Sequence, residues 1–334
     1  MPPRRRRPPS RQKTARARPA KASEISLDTV RPPEDWTLAD GITQSILSNY
    51  LCCHFRGLLS LNRWGNRDKL KNTRFGSAFH EILDKAYSSG RAPSDKLLSK
   101  WLADYMAQTD DYTTKEIEQR EEDKALLHAV LRNYFRHYRE DFTKKTFKRV
   151  EKSWDVAWRG YRLRGKIDGE YLDKRGQIRL MEHKTKGRID EERLMAHLSF
   201  DFQNLFYVTM YETQTGKVVK GTLYNVVRRP QLRRGAGESL KDFANRTAED
   251  VAKRPEHYFK RMDITYSKKD KAMFQDELKA ILDELAERLA HPSSRPFFRN
   301  RFGCETPFRC AFLGACASGS LNGFTQQKSL FPEL

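Results

Sequence analysis

The sequence predicts an α/β protein with a mixed central β-sheet, flanking helices, a helical insertion and a Cys-rich C-terminal cap. Three observations carry this. Helical periodicity dominates residues 43–141, β-formers and period-two alternation take over near Lys148, and three cysteines gather between 304 and 316. Strands grouped mid-chain between helices are the pattern of a sheet with helices packed against it.

Residues 1–35 read as a disordered basic tail. The first 22 residues hold nine Lys and Arg, five prolines and no acid, so they neither bury apolar surface nor sustain a helix. The same prolines argue against an amphipathic mitochondrial presequence. Setting the nine aside leaves 55 Lys+Arg against 44 Asp+Glu, a net +11 of the full +20. No apolar run of about 18 residues occurs, which excludes a spanning helix, and five cysteines are too few for a secreted disulfide scaffold. A soluble intracellular protein with an anionic partner is the expectation.

Residues 36–147 form the helical N-terminal part. One helix is expected over Thr43–Trp64, from Ile46, Leu47, Tyr50, Leu51, Leu58 and Leu59, and further helices over 75–87, 94–108 and 114–141. Residues 148–292 form the core: strands at 150–158, 161–172 and 177–184, helices at 191–197 and 200–214, a strand at 218–227, a helix at 239–253, a strand at 258–266 and a helix at 268–291. A Cys-rich metal segment at 293–320 and a flexible peptide at 321–334 complete the chain.

The hairpin of the core carries the chemistry. Lys174, Arg175 and Gly176 make a three-residue loop with glycine in the left-handed position, which pairs Asp173 with Gln177. Stepping back along the ladder sets Asp168 opposite Glu182. Opposed side chains have Cβ atoms about 4.5–5.5 Å apart, so two carboxylates there repel unless a cation lies between them. Mg²⁺ favours such oxygen ligands. Alternation puts Lys184 on the face of Glu182 and turns His183 away. A surface hairpin with solvated charges is the bland alternative for one such pattern. Two further pairs sit at helical i, i+4 spacing: Gly76 with His80, a possible metal ligand, and Gln203 with Tyr207.

In order, these residues resemble the RecB-type nucleases of the PD-(D/E)XK superfamily, whose motifs run GxxxH, GxxD, (D/E)xK with a following Thr, and QxxxY. Here they are Gly76 to His80, Gly165 to Asp168, Glu182-His183-Lys184-Thr185, and Gln203 to Tyr207. The resemblance implies a restriction-endonuclease-like sheet and Mg²⁺ or Mn²⁺ on His80, Asp168, Glu182 and the carbonyl of His183. It also implies a catalytic set of Asp168, Glu182, Lys184, Gln203 and Tyr207, with Gln203 and Tyr207 also at the DNA.

Cys304, Cys310 and Cys316 are spaced Cx5Cx5C and lack a fourth ligand. A subset of RecB-type nucleases, including the AddB subunit and CRISPR-adaptation exonucleases, is similar here, with one cysteine in a YLxCP helix and three near the C-terminus holding a 4Fe-4S cluster. Tyr50-Leu51-Cys52-Cys53-His54 places Cys53 in register, with His54 for the usual proline, and the C-terminal spacing also departs from the commoner one. Zn²⁺ on the same thiolates, or buried unliganded cysteines, are the alternatives.

Arg228, Arg229, Arg233 and Arg234 follow a core strand and are candidates for phosphate contact, with solvated surface charge as the alternative. Gln327-Lys328-Ser329-Leu330-Phe331 is similar to the bacterial sliding-clamp-binding pentapeptide, with Gln327, Leu330 and Phe331 as its anchors. A tail packed on its own domain is the alternative. The expected function is a metal-dependent DNA exonuclease favouring single-stranded ends, in recombination, repair or replication, cytoplasmic and associated with nucleoid or viral DNA. A non-catalytic DNA-binding or clamp-recruited accessory protein is the competing class, and a zinc-stabilised RNA-binding protein a third.

Overall fold

A computed structural model describes residues 25–66, 74–107, 114–143, 147–305, 309–331 and 334. Along the chain come β1 (Ile42–Thr43), α1 (Gln44–Cys52), α2 (His54–Leu61) and β2 (Trp64–Asn66). The helical insertion follows as α3 (Arg74–Ser89), α4 (Asp95–Ala107), α5 (Thr114–His137) and the single turn α6 (Glu140–Thr143). The core contains β3 (Phe147–Trp158), β4 (Tyr161–Leu172), β5 (Ile178–Lys186), α7 (Glu191–Leu198), α8 (Phe202–Thr215), β6 (Val219–Arg228), α9 (Leu240–Lys253), the turn α10 (Pro255–Tyr258), β7 (Phe259–Thr265) and α11 (Lys268–Ala290). The short helix α12 (Leu313–Ser318) and β8 (Phe324–Gln326) close it.

The mixed α/β sheet expected from the sequence is present. Its six strands run β1-β4-β5-β6-β7, with β3 also on β4. One hydrophobic cluster, with Leu163, Ile167, Leu180, Phe206, Met210 and Leu278, joins the sheet to α1, α2, α8 and α11. A second, with Phe79, Leu83, Leu131, Tyr134, Phe243 and Phe259, joins it to α3, α5 and α9. The hairpin loop has the expected form: Gly176 has φ 72°, Gly176 N donates to Asp173 O, and Asp173 N donates to Gln177 O at 3.0 Å.

How β4 is paired decides where chemistry can occur. β3 runs along one edge of β4. The other edge is shared: β1 takes Leu163 and Arg164, and β5 takes Gly169 to Leu172. The four residues between, Gly165 to Asp168, pair with neither. Meanwhile β5 continues beside β6 as far as Lys186, so the two strands part with Asp168 on one side and Glu182 to Lys184 on the other.

Three expectations are corrected. The single helix over Thr43–Trp64 is broken at Cys53, whose backbone is extended (φ −163°, ψ 119°), and it ends in β2. The break lets α2 fold back on α1, and a Cβ on Gly57 would lie 2.7 Å from the Cα of Tyr50. The tail expected over 1–35 is packed from residue 25 onwards: Leu27 is buried, and its N–H donates to Gly319 O at 2.9 Å. Residues 1–24 lie outside the described residues. Finally, 321–334 is not a free peptide. β8 pairs antiparallel with β2, Gln327 N donates to Arg63 O, and Leu330 and Phe331 pack on the core, with Arg164 over the Phe331 ring at 5.2 Å. Packing two half-buried apolar side chains on the core offsets the entropy of a short loose end.

Candidate active site

At the parting of β4 and β5 the four motif segments touch one another. The main-chain N–H of His183, left by β4, donates to Asp168 Oδ2 at 2.7 Å. His80, projecting from α3, has its Nδ1 3.6 Å from the same oxygen. Glu182, almost wholly buried, accepts from Lys184 Nζ and, at 2.8 Å, from Gln203 Nε2 in the first turn of α8. Gln203 Nε2 is 3.4 Å from Tyr207 Oη.

The motif glycines make these contacts possible. A Cβ on Gly165 would stand 2.8 Å from Cε1 of Tyr207, so the missing side chain is what lets the Tyr207 ring lie on β4. A Cβ on Gly76 would stand 3.0 Å from Thr185 Oγ1, which brings α3, and His80 one turn further on, up to the end of β5. Asp201 caps α8, accepting from Asn204 N at 2.9 Å, and so fixes where Gln203 begins.

Two carboxylates in this space divide the work. Burial pushes Glu182 up to about 7; Lys184 opposes this and Asp168 adds to it. Asp168 is also buried, but His80, His183 and Lys184 hold its carboxyl well below the usual range. Burial would lower Lys184, but Glu182 and Asp168 outweigh it and keep the ammonium charged. Burial likewise opposes charge on His80, and Asp168 raises it overall. Tyr207 stays protonated, first through burial and then through Glu182.

A carboxylate pair forced to retain a proton is a donor set that a hard divalent cation would relieve, and the oxygen and imidazole donors fit such an ion. As the side chains stand, no group of three His, Cys, Asp or Glu among the described residues is closed into a metal-holding arrangement. Glu182 Oε1 is turned to Lys184 and Gln203, and Asp168 Oδ2 to His183 and His80.

Glu182 makes a pH test available. A carboxyl raised from 4.5 to about 7 on folding contributes stability that is fully present below 4.5 and is lost as pH rises through 7. Without divalent cations, wild type is expected to lose stability relative to Glu182→Gln as the pH is raised from about 5 to about 8. Urea denaturation at the two pH values checks this, and parallel stability profiles would refute it.

The family model of the PD-(D/E)XK nuclease superfamily matches residues 42–317. The chain belongs to the PD-(D/E)XK nuclease superfamily. Members are generally nucleases and typically use Mg²⁺ or Mn²⁺. No curated protein matches the chain. Among solved structures the chain is similar to the crystal structure of SSO0001, at 13% identity over 65% of this chain and 93% of that one, with a TM-score of 0.27.

The other candidate residues of this PD-(D/E)XK chain lie away from that centre. Cys53, Cys304, Cys310 and Cys316 are within electrostatic reach of one another without three of them closing into a metal-holding group: Cys316 is raised first by burial, against Arg299, and then by Cys310, Cys53 and Cys304. Asn300 bridges two of them, its N–H donating to Cys53 Sγ at 3.3 Å and its carbonyl 3.8 Å from Cys304 Sγ. Cys52 instead faces Arg56 Nη1 at 3.6 Å. All five thiols are free. Of the arginine loop, Arg229 pairs with Asp123 at 2.7 Å and Arg234 with Glu122 at 3.0 Å on α5, so both brace the insertion. Arg228 lies 3.4 Å from His257 Nδ1, and the Arg233 side chain is exposed.

A buried network behind Glu182-His183-Lys184 was not foreseen. The His183 ring, pushed down to about 3 by burial, accepts at Nδ1 from Asn225 Nδ2 at 2.8 Å. Asn225 Oδ1 accepts from Arg261, which reaches Asp141 of α6 and the hydroxyls of Tyr87 and Tyr134. The available signal was an asparagine inside the apolar strand Thr222-Leu223-Tyr224-Asn225-Val226-Val227, since a fully buried amide needs partners.

No helix among the described residues is long and apolar enough to cross a membrane.

Proposed function

We propose that this chain is a RecB-type deoxyribonuclease that degrades DNA from single-stranded ends. The observation that carries the reading is the pair of adjoining contact chains His80–Asp168–His183 N–H and Lys184–Glu182–Gln203–Tyr207. Mg²⁺ or Mn²⁺, held by His80, Asp168, Glu182 and the His183 carbonyl, would supply activation of water and neutralisation of phosphate charge. Lys184 meets the negative charge that develops on the phosphoryl oxygens. Gln203 keeps Glu182 aimed at the gap, and Tyr207, a neutral phenol, borders the strand being cut. Recombination, repair and replication are the processes that consume such an activity.

The test uses end-labelled linear and covalently closed single-stranded DNA with Mg²⁺ or Mn²⁺. Loss of the linear form alone is expected. Cleavage of the closed circle sinks the exonuclease reading, and binding of every substrate with cleavage of none favours the accessory-protein class.

The convergence of four thiols supports a 4Fe-4S cluster on Cys53, Cys304, Cys310 and Cys316, clamping the two flanks of the core together. Protein purified without oxygen is expected to be brown, to lose colour in Cys53→Ala and Cys304→Ala, and to keep it in Cys52→Ala. A colourless protein carrying zinc would overturn the cluster.

A further inference from the structure

The coil after α11 reads Arg295-Pro296-Phe297-Phe298-Arg299-Asn300-Arg301-Phe302, and no acid occurs from 288 to 304. Phe297 is buried, whereas Phe298 is 54% and Phe302 93% exposed. The backbone that presents these rings is pinned. Phe55 N donates to Phe298 O at 3.1 Å, and Asn300 Nδ2 donates to Cys52 O at 2.9 Å. The side chains of Arg295 and Arg301 are exposed and have no ion-pair partner among the described residues. Arg299 lies over the Phe55 ring at 4.6 Å and 3.7 Å from the exposed carboxylate of Asp28, which also lines the cavity beside it. Next to the coil is a cavity of about 440 Å³ whose lining includes Arg31, Phe55, Phe297, Phe298 and Arg299.

Phe302 stands in water, and Phe298, which packs on His54 at 4.2 Å, still leaves more than half of its surface exposed; such rings need an apolar surface to cover them, and the neighbouring guanidiniums select one that is also anionic. An apolar peptide meets the first condition and not the second. A nucleic-acid duplex meets the second, but its bases are already stacked on one another. A single strand offers both, with base faces for the rings and phosphates for the arginines.

We propose that residues 295–302 form a single-strand-binding site separate from the nuclease centre, with bases stacked on Phe298 and Phe302 and phosphates on Arg295, Arg299 and Arg301. The proposal rests on the nuclease reading only for the class of ligand. Its test is fluorescence anisotropy of labelled oligothymidylate, and of a hairpin duplex, with the full chain carrying Lys184→Ala and without divalent cations, so that cleavage is suppressed.

Adding Phe298→Ala or Phe302→Ala is expected to weaken oligothymidylate binding about fivefold or more, with little change for the duplex. Phe302→Trp in place of the alanine is expected to keep it. Unchanged oligothymidylate affinity, an equal loss on the duplex, or failure of tryptophan to hold the single strand would overturn the site. These outcomes are read from binding alone, so they stand whether or not the wild type cleaves DNA.

Discussion

Lys184→Ala is expected to lower the rate of DNA cleavage at saturating substrate by about 10²–10³-fold, while the protein stays folded. The ammonium is the cation that Glu182 faces, and no other side chain in the motif set supplies a fixed positive charge there. Truncating one partner of a buried ion pair commonly costs about 3–5 kcal/mol, because the other charge is stranded. Here the stranded group has an escape: Glu182 already sits near 7, so taking up a proton at neutral pH costs little. Activity should therefore fall much further than stability. Single-turnover cleavage with Mg²⁺ or Mn²⁺, beside urea denaturation of the same variant, separates the two. A wild-type rate would remove Lys184, and with it the assignment of the site; Asp168→Ala should behave in the same way.

Gly221→Ala is expected to destabilise the fold by about 3 kcal/mol or more, through overpacking. A Cβ there would lie 1.7 Å from the carbonyl oxygen of Ile264 and 2.9 Å from Arg179 Nη1. Gly221 follows the register shift between β5 and β6, where Lys220 is the additional residue. The space above it is crossed by the guanidinium of Arg179 on its way to Asp263 and Ile264 O. An added methyl group must displace β7, which no side-chain rotation can avoid. An unchanged urea midpoint would show that the strands yield without cost.

The helices of the core and the insertion were legible because each has an apolar face several turns long, as with Leu126, Leu127, Val130, Leu131 and Tyr134 in α5. The hairpin register was legible because Gly176 admits few loop geometries. The motif residues were legible as a pattern, and their contacts explain the spacing: Gly165 answers to Tyr207 and Gly76 to Thr185.

What failed depends on distant partners. The sequence around Cys53 is helical on both sides, and the fold-back there is held by the packing of Gly57 on Tyr50 and by contacts from Phe298 and Asn300. β2 and β8 are three residues each, too short for alternation to register. Leu330 and Phe331 read equally well as a peptide for a partner or as part of the protein's own core. Asn225, Arg261 and Asp141 come together from β6, β7 and α6, which no local window spans.

The pairing of β2 with β8 also bears on how the molecule is made. Thr325 Oγ1 meets Gly65 O across 260 positions of sequence, and the segment at Ile25 and Leu27 waits for Gly319 and Leu321. During synthesis the earlier member of each pair thus lacks its partner until the 260 or so residues between them have emerged. Slow, long-range closure of this kind is where chaperones act and where a pause in translation does harm. Yield of folded protein should respond more to conditions during expression than its final stability would suggest.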